Sequence, residues 1–155
     1  MLSAEVDASD WQEVISLCGR MLTERGFAKP SFTQACIDRE RRFPTGLPTA
    51  VGIAIPHAES VHVNRSCLCV LRLKRPVMFR RIDDPVQEIA VKVVVGIAIA
   101  SDDDQTWTLS RLVQAFQDDN FLNRLSSFDE AQVKALMVDW INRPVEQAVG
   151  EEGCE

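Results

Sequence analysis

The stretch AVKVVVGIAIA, residues 90–100, carries the strongest structural signal in the sequence. β-branched side chains dominate it, and they favour extended backbone because their branched Cβ restricts the side chain in a helix. Its near-continuous apolar character is typical of a strand that is covered on both faces of a sheet. The acidic run Asp102 to Asp104 ends this strand and caps the helix that follows.

Helices are predicted on either side of the central strands. Asp10 and Glu13 form a capping-box pattern before the first helix. In chain order we predict helices from Asp10 to about Gly26 and from Ser31 to Arg42, a loop from Phe43 to Thr49, strands Val51 to Ile55, Cys67 to Leu73, Pro76 to Phe79 and 90–100, a helix from Gln105 to Phe116, a short apolar segment after Asp118, and a helix from Asp129 to Ile141.

This order of elements predicts an α/β (α+β) fold with a central mixed β-sheet flanked by helices on both faces. A length of 155 residues suits one domain with its own core. We expect a single domain over residues 1–155, with its core at about 10–141 and a flexible acidic tail after about residue 144. The pattern does not assign the order of the strands.

Charge and composition exclude several classes of protein. The net charge of −6 argues against nucleic-acid binding, no apolar run is long enough to cross a membrane, and Met1 to Asp10 lacks the basic flank and apolar segment of a signal peptide. A cytoplasmic protein is expected. The five cysteines are odd in number and mostly lie in apolar surroundings, which indicates reduced thiols. Cys67 and Cys69 share one strand face, and core packing is favoured over metal binding.

His57 is the residue with the most distinctive position. It follows Pro56 at the end of the apolar run Gly52 to Ile55. Because proline has no N–H to donate, strand pairing is expected to end there and to leave the imidazole at the carboxyl end of a strand, where α/β sheets place ligands. A neutral imidazole at this place suits general-base work, metal binding or covalent group transfer.

Three kinds of site are compatible with this histidine. A metal site would need His62 and Glu59 as further ligands, and their spacing fits poorly. A hydrolase would need a positioned nucleophile, and the sequence has no G-x-S-x-G motif. A phosphohistidine needs only the ring, a group that orients it and a cation for the phosphoryl oxygens. Arg39, Arg41 and Arg42 supply such cations, although for each of them alone the pattern favours a solvated helix end.

The sequence GIAIPHA at residues 52–58, with Arg39-Glu40 and FPTG at 43–46 before it and PVMF at 76–79 after it, resembles the enzyme IIA domain of the bacterial phosphoenolpyruvate-dependent sugar phosphotransferase system. The similarity is to the fructose–mannitol–galactitol class and covers about residues 10–141. It implies a phosphocarrier without a metal or organic cofactor. In such a carrier, phospho-HPr phosphorylates His57 and the phosphoryl group then passes to a cysteine of enzyme IIB. Enzyme IIB in turn phosphorylates a sugar that enters through the membrane component IIC.

The resemblance also implies roles for single residues. Arg39 matches the arginine of the family's R-E element and would stabilise the phosphoryl group, whereas Arg41 and Arg42 do not inherit that role. Mannitol and fructose members carry a second histidine after the long strand, where this chain has Gln105. Gln105 could hydrogen-bond to the phosphoryl group or to His57 but could not supply a proton. His62 is a further candidate helper, although the pattern favours a plain loop residue.

The galactitol branch resembles this chain better than the mannitol branch does, because it shares F-P-T-G, a histidine five residues after the first and a glutamine near position 105. A regulatory module that acts through phosphorylation-dependent partner binding remains the alternative function.

Overall fold

The computed structural model describes residues 1–127 and 129–141. Its elements are the strands β1 (Leu2–Val6), β2 (Gly46–Leu47), β3 (Ile53–Ala54), β4 (Cys67–Arg80) and β5 (Glu88–Ala98), the helices α1 (Trp11–Glu24), α2 (Phe32–Arg42), α3 (Asp102–Ala115), α4 (Asp119–Ser127) and α5 (Glu130–Ile141), and a 3₁₀ turn (Ser60–His62).

The strands form one five-stranded mixed sheet in the order β1-β4-β5-β3-β2. β1 runs parallel to β4, and β3 runs parallel to β5. The two long strands β4 and β5 pair antiparallel at the centre, and β2 pairs antiparallel with β3 at one edge. The short strand β3, which leads to His57, is therefore supported along one side by the strand with the strongest β signal.

Successive residues of the central strands point to opposite faces of the sheet, and helices cover both faces. On β5, Val94 packs with α1 and α2 in one apolar cluster. Its neighbours Val93 and Val95 belong to a second cluster with α3, α4 and α5. The predicted mixed sheet with helices on both faces is confirmed. Cys67 and Cys69 are both buried in the first cluster, as predicted for core packing.

Both ends of α1 follow the predicted signals. Asp10 accepts the backbone N–H of Glu13 at 2.8 Å, and the Glu13 carboxylate accepts the N–H of Ser9 at 2.9 Å. Gly26 has φ of 78°, the left-handed conformation that ends a helix and favours glycine. At the end of α2, the Arg80 guanidinium from β4 donates to the carbonyls of Glu40 and Arg41. This cap ties the last turn of α2 to the sheet.

Several predicted boundaries were wrong. The core begins before residue 10, because Leu2–Val6 forms the parallel edge strand β1 and Leu2 is buried. The predicted loop 43–49 contains β2. The two strands predicted on either side of Lys74 are one strand, β4, whose register shifts between Arg72 and Val77. Pro76 lies in this irregularity, where its missing N–H interrupts no ladder bond.

The third helix begins three residues earlier than predicted. Ser101 is its N-cap, with Oγ accepting from the N–H of Asp104, and the aspartates occupy its first turn. Within residues 1–127 and 129–141, no helix is both long and apolar enough to cross a membrane. The tail predicted after residue 144 lies outside the described residues, as does Cys154.

Gly52 is a position where a side chain would disrupt the strand that leads to His57. A Cβ built on Gly52 would lie 2.0 Å from the carbonyl oxygen of Ala90 on β5. Because the clash is with backbone, Gly52→Ala is expected to lower the free energy of unfolding by about 2–3 kcal/mol. Urea unfolding followed by circular dichroism measures the loss. Thr49→Ala, at a half-exposed loop position, is the control and is expected to lower stability less; equal losses would contradict the close approach.

Candidate active site

His57 lies just beyond β3, on a backbone that remains attached to β5. The expectation that pairing ends at Pro56 was wrong, because the Pro56 carbonyl accepts the N–H of Ile97 at 3.0 Å and His57 forms a parallel bridge with Ile97. Proline lacks a donor but keeps its acceptor, and it is the acceptor that faces β5. The backbone that carries the imidazole is therefore held by the sheet on both sides of Pro56.

Two hydrogen bonds define the state of the His57 ring. Nδ1 lies 2.8 Å from the carbonyl oxygen of Ile55, and Nε2 lies 3.1 Å from Nε of Arg39. A carbonyl oxygen only accepts and a guanidinium only donates, so Nδ1 carries the proton and Nε2 offers its lone pair. The contacts select one tautomer and leave Nε2 as the nucleophilic nitrogen.

His57 is only 8% exposed. Burial lowers the pKa of the ring below its ordinary value, and the positive charge of Arg39 adds to this effect, while the hydrogen bond to Ile55 opposes it. A lowered pKa keeps the imidazole neutral at neutral pH, which preserves the Nε2 lone pair.

Arg39 reaches the ring from the last turn of α2. Its guanidinium also lies 5.5 Å from the centre of the Phe43 ring, which restrains it from a second direction. Among the described residues its terminal Nη groups make no hydrogen bond, so they remain free for an anion. Arg41 and Arg42 are exposed, and Arg41 pairs loosely with Asp38 at 3.8 Å. The structure brings only the first of the three arginines to His57.

The two other predicted residues occupy different places. Gln105, in the first turn of α3, donates from Nε2 to the carbonyl of Ala58 at 2.8 Å, and thereby contacts the residue that follows His57. His62 lies in the 3₁₀ turn, where its Nδ1 is 2.8 Å from Oγ of Ser31. Ser31 precedes α2, about 12 Å along the helix from Arg39. The structure brings Gln105 beside the site and places His62 at the opposite end of α2.

Sequence reasoning missed a buried pair behind the histidine, Glu40 and Thr45. Thr45 donates to the Glu40 carboxylate from its backbone N–H at 2.9 Å and from its hydroxyl at 2.9–3.1 Å. The same hydroxyl oxygen accepts the N–H of Ile55 at 3.1 Å. A signal for Glu40 was available, because Phe32, Cys36 and Glu40 recur at four-residue spacing and place a carboxylate on the apolar face of α2.

Burial raises the pKa of Glu40 from 4.5 to about 7, against the opposing hydrogen bonds from Thr45 and the charges of Arg80 and Arg39. The folded chain therefore holds this proton more tightly than the unfolded chain does, and stability is lost as pH rises through about 7. Relative to Glu40→Gln, the wild type is expected to lose about 2–3 kcal/mol of unfolding free energy between pH 5 and pH 8. Denaturant unfolding at a series of pH values measures this difference, and a difference that stays constant with pH would contradict the buried carboxyl.

The described part of the chain contains no group of three or more histidine, cysteine or acidic residues placed to hold a metal ion. What the site contains is a neutral nucleophilic nitrogen, a guanidinium with free N–H groups beside it and a buried network behind it. This arrangement can form a bond from Nε2 to an electrophile and stabilise negative charge on that electrophile.

The chain is similar in sequence to known proteins over most of its length. Residues 2–139 match the family model described as "Phosphoenolpyruvate-dependent sugar phosphotransferase system, EIIA 2". The galactitol-specific EIIA component of Escherichia coli K12 is 29% identical over 133 residues, which cover 85% of this chain and 88% of that protein. The mannitol-specific enzyme IIA component of Halalkalibacterium halodurans is 28% identical over 151 residues, with 91% and 92% covered.

Solved structures share the fold. In the complex of mannitol enzyme IIA with phosphorylated enzyme IIB from Escherichia coli, the matching chain has a TM-score of 0.72 and 24% identity, with 89% of this chain and 94% of that chain covered. At 24% identity this structural similarity establishes the fold alone, whereas the family is established by the sequence match. From the match over residues 2–139, the chain belongs to the EIIA 2 family of the phosphoenolpyruvate-dependent sugar phosphotransferase system.

Proposed function

We propose that this protein is a phosphocarrier that accepts a phosphoryl group from phospho-HPr on Nε2 of His57 and passes it to a cysteine of a cognate enzyme IIB. The contact that carries the proposal is the one between Nε2 and Arg39 at 3.1 Å, together with membership of the family. It supports the proposal because it places an unprotonated ring nitrogen next to a cation with unused donors.

The transfer exchanges one N–P bond for another. The Nε2 lone pair attacks the phosphorus held by the donor histidine, and the donor's N–P bond breaks with its electron pair returning to the donor ring. The proton on Nδ1 of His57 stays on the ring. The Ile55 carbonyl oxygen keeps its hydrogen bond to this N–H and so stabilises the positive charge that the phosphorylated ring carries. In the second transfer, a thiolate of enzyme IIB attacks the phosphorus and the N–P electron pair returns to Nε2.

Arg39 and Gln105 assist in different ways in this proposal. As Nε2 bonds to phosphorus, the Arg39 guanidinium turns from the ring nitrogen to the phosphoryl oxygens, where its planar donors bind the developing charge. Gln105 holds the Ala58 carbonyl and so limits the movement of the segment that follows His57. His62 has no place in the transfer, because its hydrogen bond lies with Ser31.

Enzyme IIB is the partner best supported, since a solved relative of this fold is bound to phosphorylated enzyme IIB. The relatives named for galactitol and mannitol are similar at 29% and 28% identity. We therefore propose a hexitol as the transported substrate, entering through a component IIC, with galactitol and mannitol as the two candidates to compare.

The test is a two-stage transfer with purified proteins. The chain is incubated with ³²P-phosphoenolpyruvate, enzyme I and HPr, and the label is expected to appear as an acid-labile, base-stable phosphate, as phosphohistidine requires. Enzyme IIB of the galactitol class or of the mannitol class is then added, and the label is expected to leave the chain for one of them.

Wild-type protein that takes no label from phospho-HPr would overturn the phosphocarrier proposal. Label that enters the chain but moves to neither enzyme IIB would contradict the transport role and favour a regulatory module, whose phosphorylated form is the signal.

A further inference from the structure

We propose that Glu40 and Thr45 are positioning residues that set the tautomer and orientation of His57 through the backbone of Ile55. The proposal rests on the proposed function for its catalytic consequence, because it concerns the same histidine. The ring bonds to Arg39 and Ile55 and neither Glu40 nor Thr45 hydrogen-bonds to it, so each acts through another group.

Each hydrogen bond of the Thr45 hydroxyl has a fixed direction. The Thr45 hydroxyl lies within hydrogen-bond distance of two groups, and because the Ile55 N–H only donates, the hydroxyl hydrogen is directed to the Glu40 carboxyl, at 2.9 Å from Oε2. With that hydrogen engaged, the hydroxyl oxygen presents its lone pairs to the N–H of Ile55 at 3.1 Å. Glu40 therefore holds the Thr45 hydroxyl in the orientation that leaves its oxygen free to accept from the Ile55 N–H.

Ile55 connects this network to the ring of His57. The residue whose N–H binds Thr45 is the residue whose carbonyl accepts the proton on Nδ1 of His57, at 2.8 Å. Pro56, between Ile55 and His57, restricts the backbone that joins them. When Ile55 is held at its N–H, its carbonyl keeps its direction towards Nδ1, and Nε2 stays unprotonated opposite Arg39.

The network is buried, so the loss of one of its hydrogen bonds is costly. Glu40 is 4% exposed and Thr45 is 2% exposed, and both bond to partners that are themselves buried. Water cannot replace a lost partner at such a place, so removal of one group leaves the next unsatisfied and free to move. Glu40 also follows Arg39 on α2, so one helical turn supplies both the cation in front of the ring and the acceptor behind it.

The test uses the full-length chain with ¹⁵N-labelled histidine. Long-range ¹H–¹⁵N NMR reports which ring nitrogen of His57 carries the proton, and it needs no phosphoryl donor. Glu40→Gln keeps the size but presents an N–H to Thr45 on one side, and Thr45→Val keeps the shape but removes the hydroxyl. Thr45→Ser restores the hydroxyl without the methyl group. Val14→Ala, in the buried core of α1, is the control for a general loss of stability.

We expect Glu40→Gln and Thr45→Val to show a mixture of His57 tautomers and to accept the phosphoryl group from phospho-HPr about tenfold more slowly. Thr45→Ser and Val14→Ala are expected to keep the wild-type tautomer and a rate within about twofold of wild type.

Folded Thr45→Val protein with the wild-type tautomer and the wild-type rate would overturn the proposal. Should Glu40→Gln fail to fold, the contrast between Thr45→Val and Thr45→Ser decides it alone. A changed tautomer in a protein whose wild type accepts no phosphoryl group would support the positioning role and overturn the phosphocarrier function, so the two failures are distinguishable.

Discussion

His57→Ala is expected to accept no measurable label from phospho-HPr, a loss of at least about a thousandfold in rate. The reason is that the residue supplies the atom to which phosphorus bonds, whereas the basic carboxyl of Glu40 is buried and hydrogen-bonded to Thr45. Gln105 offers an amide, and the guanidinium of Arg39 has donors but no acceptor. Rapid-quench labelling with ³²P measures the rate, and the substitution removes only a ring whose main contacts are with Ile55 and Arg39.

The matched control is His62→Ala. The chain has two histidines, so this variant removes the other imidazole and leaves the first untouched. Because the His62 ring bonds to Ser31, we expect label to enter this variant at a rate within about twofold of wild type. Label that still enters His57→Ala, or label that is lost only in His62→Ala, would show that His57 is not the phosphoryl acceptor.

Arg39→Ala is expected to slow phosphoryl transfer from phospho-HPr by about a hundredfold, with little effect on folding. The guanidinium is the cation that contacts Nε2, and its free Nη groups are placed to bind phosphoryl oxygens as negative charge develops on them. Arg39→Lys is expected to recover only part of the rate, because an ammonium is a point charge without the planar pair of donors. Single-turnover kinetics with phospho-HPr in excess separate this effect from partner binding.

Arg41→Ala is the control for net charge, since it removes an exposed arginine from the same turn of the same helix. We expect this variant to lose less than about twofold in single-turnover rate, because its only described ion pair is the loose contact with Asp38. If Arg39→Ala and Arg41→Ala slowed transfer equally, the arginines would act through the surface potential, and the contact with His57 would have no special role.

Periodicity predicted most of the fold, because it reports which side of an element is buried. The alternating burial of β5 and the Asp10 cap of α1 both follow from residues close together in the chain. The edge strand β1 was missed because an edge strand with polar Ser3 and Glu5 carries little apolar signal. Strand order was not predictable, since it depends on which distant segments pair, and a local pattern contains no information about that.

The candidate site divides in the same way. Pro56-His57 at the end of an apolar run identified the imidazole, and the R-E element identified Arg39 through a resemblance. The part played by Glu40 was not recognised, although its spacing with Phe32 and Cys36 already indicated a buried carboxylate. Its partner was beyond prediction, because Thr45 lies in a loop whose path is set by β2 at the sheet edge.

The sequence by itself therefore determined the fold class, the Asp10 cap of α1 and the histidine that ends an apolar strand, since each depends on neighbouring residues and their intrinsic preferences. Only the tertiary structure decided how Arg39 meets the ring, which ring nitrogen is protonated and which buried groups hold the backbone of Ile55. Those outcomes depend on contacts between α2, the loop after it and β3, and such contacts exist only once the sheet has brought these segments together.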